Sequence, residues 1–223
     1  MIATLREFYG LQPTPPGDLF QYFVWEILSE HALPARRDLA WQTLKRMPAL
    51  TPDAMFRTPV SELLDAVGIA GPHREERVEQ IRATVGEFKR HREELDAERL
   101  RQVSTLQAGR ALRRVPHLGP AVLRRAHLFV LREHVLPIDE EVRRVVSRLM
   151  GRPNDRRSAI RRWLAQKVHQ EGATNRDAVV YLRHHALHTC LKVGPHCHVC
   201  PLRKECAHAT SLPAEPFERS SIQ

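Results

Sequence analysis

The chain has 223 residues, 42% of them hydrophobic, which is enough for the buried core of one large or two small domains. No apolar run approaches the roughly 18 residues of a membrane-spanning helix, so a soluble protein with no membrane partner is expected. The formal charge of +9 at pH 7 points to a polyanionic partner, since neutralising phosphates releases counterions, although an arginine-rich solvated surface gives the same number.

Helical periodicity recurs along most of the chain and strict two-residue alternation nowhere competes with it, so the expected fold is all-α. The opening MIATLREFYG carries a charge pair and no apolar core segment; it does not read as a signal peptide, and a reducing cytoplasm is expected. Asp18 caps a helix carrying Leu19, Tyr22, Phe23 and Ile27, which Pro34 is expected to end. Thr58-Pro59 opens another, with Val60, Leu63, Leu64 and Val67 at helical spacing and Gly68 at its close. Val78, Ile81, Val85 and Phe88 form a third stripe, which runs into the charged stretch Lys89 to Arg101, a solvated face or connector. Ala108, Ala111, Leu112 and Val115 form a fourth.

Next comes Val115-Pro116-His117-Leu118-Gly119-Pro120, short enough to be only a tight connection, followed by a helix with Pro120 at its first position and Val122, Ala126, Phe129 and Val130 on one face. Such a hairpin leaves backbone N–H groups at a helix N-terminus, where a DNA phosphate can bind whatever the sequence; plain helix packing has the same signature. Asp139, in Pro137-Ile138-Asp139-Glu140-Glu141-Val142, sits where a helix should begin and suits an N-cap. Val142, Val145, Val146 and Leu149 before Gly151, then Ile160, Trp163, Leu164 and Val168, mark two more helices. The tail from 211 to 223 reads as flexible.

Cysteine is absent from the first 189 residues and then occurs as Cys190, Cys197, Cys200 and Cys206, spaced C-x6-C-x2-C-x5-C. Four thiolates on one short loop suit a tetrahedral zinc or an iron–sulfur core. Zinc sites favour two C-x2-C arms around a longer finger, so this spacing, with Pro201 after Cys200, favours 4Fe-4S over zinc, and both over disulfides.

In this order, hairpin, aspartate and four-cysteine loop resemble the endonuclease III superfamily of helix-hairpin-helix DNA glycosylases. VPHLGP resembles the L-P-G-V-G hairpin, PIDEEVRRV the V-D-T-H-x-x-R-V segment, LRHHALHTC the approach to the cluster, and EILSEH the early helix; the likeness runs from about Leu19 to Cys206. The resemblance implies two helical domains flanking a DNA-binding cleft: a six-helix domain over 12–133 with the hairpin, and a 4Fe-4S domain made of 1–11 and 134–223. It implies a monomer that excises a damaged or mismatched base from double-stranded DNA. In use, the protein would be associated with the nucleoid.

By the same resemblance the essential aspartate falls on Asp139, and the lysine that gives bifunctional members a Schiff base falls on Ala121, which cannot be a nucleophile. Only Lys45, Lys89, Lys167, Lys192 and Lys204 exist in the chain, none near the hairpin, so a monofunctional enzyme is expected. Glu26 aligns with the glutamate that assists base departure; its apolar neighbours Val24, Trp25, Ile27 and Leu28 suggest burial and a retained proton, while Glu30 one turn on suggests a solvated face. DNA contacts are expected from His117, Leu118, Gly119 and Ala121 of the hairpin, from His31 in place of a base-probing glutamine, and from Lys192, Arg203 and Lys204 beside the cysteines. His117 for the first hairpin glycine and Glu141 for a histidine depart from the pattern. They leave open two alternatives, a non-catalytic damage-sensing homologue and a lyase with an unusual nucleophile.

Overall fold

A computed structural model describes residues 1–47 and 50–211; of the expected flexible tail, all but Ser211 lies outside the described residues. In chain order the helices are α1 (Ile2–Tyr9), α2 (Leu19–Ser29), α3 (Pro34–Lys45), α4 (Pro52–Arg57), α5 (Val60–Gly68), α6 (Arg74–Arg90), α7 (Ala97–Gln102), α8 (Thr105–Leu112) and α9 (Pro120–Phe129). They continue with α10 (Glu140–Met150), α11 (Arg157–Gln170), α12 (Asn175–His188), a 3-10 turn at Arg203–Glu205 and α13 (Ala207–Thr210). No strand occurs among the described residues, so the fold is all-α, and none of their helices is long and apolar enough to cross a membrane.

Two compact units divide the chain, Thr14–Val135 and the pair of segments Met1–Pro13 with Leu136–Gln223. The first holds six longer helices and two of six residues, α4 and α7. Its centre is α2, whose residues from Leu19 to Leu28 are buried except Gln21, because apolar side chains surround the helix instead of forming one stripe. Asp18 accepts from the Gln21 N–H and starts it. Phe88 of α6 packs edge-on against Phe20 and Phe23, at 5.3 and 6.1 Å between ring centres. Pro34 does not end α2. It is the first residue of α3, where a proline lacks no hydrogen bond that the helix needs. Buried Arg77 of α6 donates to the carbonyls of Glu30, Gly71 and Pro72 and so ties the loop after α2 to the loop before α6.

In the second unit α10 packs on α11, α12 and α13, and α1 on α12. The stripe Val142, Val145, Val146 and Leu149 is buried as its spacing requires. The opening decapeptide does contribute to a core: α1 is amphipathic and buries Ile2 and Leu5. Thr174 and Asp177 form a capping box at the start of α12. Gly151 ends α10 in the left-handed region at φ +67°, and a Cβ there would meet the Ala207 Cβ at 2.9 Å. Gly151→Ala therefore combines a left-handed penalty of about 1–2 kcal/mol with a steric clash, and urea denaturation should show a loss of at least that size.

Candidate active site and cysteine pocket

Asp139 is the N-cap of α10. Its Oδ1 accepts from the Val142 N–H at 3.0 Å, its Oδ2 lies 3.4 Å from Arg183 Nε of α12, and the residue is 2% exposed. The cap consumes one of about four lone-pair positions of the carboxylate. The separation from Arg183 is longer than the roughly 2.7–2.9 Å of a close charge-assisted bond.

Glu26 is buried as its apolar neighbours suggest. Arg125 of α9 grips it with a two-pronged fork, Nε to Oε1 at 3.1 Å and Nη2 to Oε2 at 2.6 Å, and Tyr22 donates its hydroxyl to Oε1 at 2.8 Å. Both side chains of the ion pair are almost fully buried. The fork engages both carboxylate oxygens, so a proton donated from Glu26 would first need Arg125 to let go; the partner is 99 residues away and carries no local signal.

The hairpin runs from α8 to α9 through 113–119. His117 adopts a left-handed backbone at φ 64°, a region that favours glycine, and its side chain is exposed. Gly119 caps α9 with no side-chain hydrogen bond and Pro120 is its first residue, so the opening N–H groups of this ten-residue helix face no capping side chain. Leu118 and Ala121 are half-buried. His31, also left-handed at φ 52°, is exposed in the loop that Arg77 secures.

The four cysteines line a single pocket, together with Arg148, His185 and Thr189, and none of them is in a disulfide. Arg148 of α10 donates to Cys190 Sγ at 3.2 Å and to the carbonyls of Leu191 and Lys192, while Arg144 donates to the carbonyls of Cys190 and Ala186. Arg203 reaches the Cys197 carbonyl at 3.3 Å; Lys192 and Lys204 are exposed. Burial, with the neighbouring thiols adding to it, pushes the Cys200 thiol up to about 11 and raises Cys197, so metal binding must displace protons. Among the described residues no three His, Cys, Asp or Glu side chains are grouped around one point as a single ion requires. Four thiols lining one pocket are soft donors of the kind that zinc or an iron–sulfur core takes.

No protein-family model matches the sequence, and no curated protein sequence matches it. Among solved structures, endonuclease III trapped as a covalent intermediate with DNA matches at TM-score 0.66 and 16% identity, over 94% of this chain and 93% of that one. A thermostable thymine-DNA glycosylase matches at TM-score 0.65 and 16% identity, over 95% of each chain. The chain has the endonuclease III fold. A 3-methyladenine DNA glycosylase of H. pylori bound to 1,N6-ethenoadenine matches at TM-score 0.56 and 14% identity, over 83% of this chain and 92% of that one.

On this endonuclease III fold the arginines beside the candidate residues had no role assigned from the sequence: in one unit Arg125 on Glu26, in the other Arg183 near Asp139 and Arg144 and Arg148 on the cysteine loop. Arg144 stands at the arginine of the V-D-T-H-x-x-R-V likeness, and Arg148 lies four residues on, hence on the same face of α10.

Proposed function

We propose that the protein is a monofunctional DNA glycosylase that hydrolyses the N-glycosidic bond of a damaged or mismatched base turned out of the duplex. The observation that carries the reading is the match, over nearly the whole chain, to endonuclease III in complex with DNA, with Asp139 present at the head of α10. Bond breaking develops positive charge on the deoxyribose, so a fixed carboxylate stabilises the transition state more than the ground state. Asp139 supplies that charge and orients the attacking water. For substrate to reach it, the buried carboxylate must be uncovered. The acid role expected of Glu26 requires the Arg125 fork to release it, which is why the reading leans on Asp139.

The N-terminus of α9, with His117, Leu118, Gly119 and Ala121, would hold a phosphate, His31 would meet the base stack, and Lys192, Arg203 and Lys204 would add phosphate contacts. Cys190, Cys197, Cys200 and Cys206 would hold a 4Fe-4S core, which when bound organises this DNA-facing loop. The burial and guanidinium pairing of both Glu26 and Asp139 favour a second reading, a DNA-binding homologue without catalysis.

A set of duplexes carrying oxidised, alkylated, deaminated and mismatched bases separates the two readings. The enzyme releases at least one base as a free product, and the binder releases none while still preferring a lesion. Borohydride should trap no covalent adduct, because Ala121 offers no amine; a trapped adduct would overturn monofunctional chemistry.

A further inference from the structure

A file of hydrogen bonds leads from the cysteine pocket to α1. His185 Nε2 lies 3.7 Å from Cys200 Sγ, His185 Nδ1 lies 2.7 Å from the Tyr9 hydroxyl, and that hydroxyl lies 2.6 Å from Thr189 Oγ1. Once Cys200 is bound as a thiolate it has no proton to give, so the imidazole must donate from Nε2. Nδ1 is then an acceptor, the Tyr9 O–H must point at it, and the Thr189 O–H must point at the Tyr9 oxygen. One proton order satisfies every partner. The arrangement is also anchored to the cysteine loop, because the N–H groups of Thr189 and Cys190 both donate to the His185 carbonyl, at 3.0 and 2.8 Å. His185 is 2% exposed, and base excision has no use for it or for half-buried Tyr9.

We propose that Tyr9 and His185 are positioning residues that set the reduction potential of an iron–sulfur core held by the four cysteines. The inference rests on the 4Fe-4S reading above. An N–H donated to a ligand sulfur withdraws electron density and favours the reduced core, whose sulfurs carry more charge. Tyr9 acts through His185: its hydroxyl fixes the tautomer and holds the ring so that Nε2–H stays on Cys200.

The test uses the full chain with its metal as purified. Iron and sulfide are quantified, and the oxidised-to-reduced ratio is then read spectroscopically against applied potential for wild type, Tyr9→Phe and His185→Leu. Tyr9→Phe keeps the ring that packs on His184 and removes one oxygen, so iron content should be unchanged. At a fixed potential the ratio should move toward oxidised by about threefold in Tyr9→Phe and about tenfold in His185→Leu, the latter being about 59 mV for a one-electron couple. Identical potentials in wild type and Tyr9→Phe, both with full iron, overturn the relay and leave the iron–sulfur reading standing. Wild type with zinc, or without iron, overturns both. Should His185→Leu fail to fold, the Tyr9→Phe comparison decides alone.

Discussion

Asp139→Asn should release base at least about 100-fold more slowly than wild type, with lesion binding nearly unchanged. Asparagine is as good an N-cap as aspartate, so the Val142 N–H keeps its acceptor and α10 its start. What the substitution removes is the negative charge, the one property that the developing positive charge on the sugar requires. It also removes the partner charge of Arg183, whose Nε lies 3.4 Å from the buried carboxylate, so some stability is lost with it. Asp139→Ala is the contrast: it gives the same loss of activity plus a loss of about 1 kcal/mol from the missing cap. Single-turnover base release under saturating enzyme, beside fluorescence anisotropy for binding, separates the terms. Equal release rates for wild type and Asp139→Asn would remove position 139 from the chemistry and move the protein to the non-catalytic reading.

Local rules carried much of this structure in the sequence. Val142, Val145, Val146 and Leu149 recur with the period of a helix, Asp139 precedes them where a cap belongs, and Gly151 follows; each signal lies within a few residues of what it specifies. Cysteine spacing is local too, and the four thiols do line one pocket. Helix α12 was not read from the sequence at all, although its capping residues Thr174 and Asp177 are local. Its buried residues Ala178, Val179, Tyr181, Leu182, His185 and Ala186 are interleaved with Arg183 and His184, because the side facing the cysteines is polar. Pro34 misled for a different reason: a proline after a helix reads as a stop, yet four residues intervene after Ser29 and the same ring starts α3. His117 takes its left-handed backbone in the short connection between α8 and α9, two helices that pack on one another.

The Glu26–Arg125 pair was the least legible of all, and its removal should have the largest effect on stability. Arg125→Leu should cost about 3–5 kcal/mol, because Glu26 stays buried without its counter-charge. Glu26→Leu should cost a similar amount, leaving a buried guanidinium without its counter-charge. The double variant should recover most of the loss. With neither charge present, nothing ionic remains to be desolvated, and the Tyr22 hydroxyl still has the Val122 carbonyl at 3.1 Å to donate to. Urea midpoints for the four proteins close a double-mutant cycle; a coupling energy near zero would mean that the fork contributes nothing. Base release by Glu26→Gln, which keeps the shape of the side chain, adds the functional half. If the pair is structural, Glu26→Gln loses stability but releases base at the wild-type rate once measured well below its unfolding temperature. If Glu26 protonates the departing base after the fork opens, release falls by about 100-fold or more and the loss is steepest for bases that leave poorly without a proton.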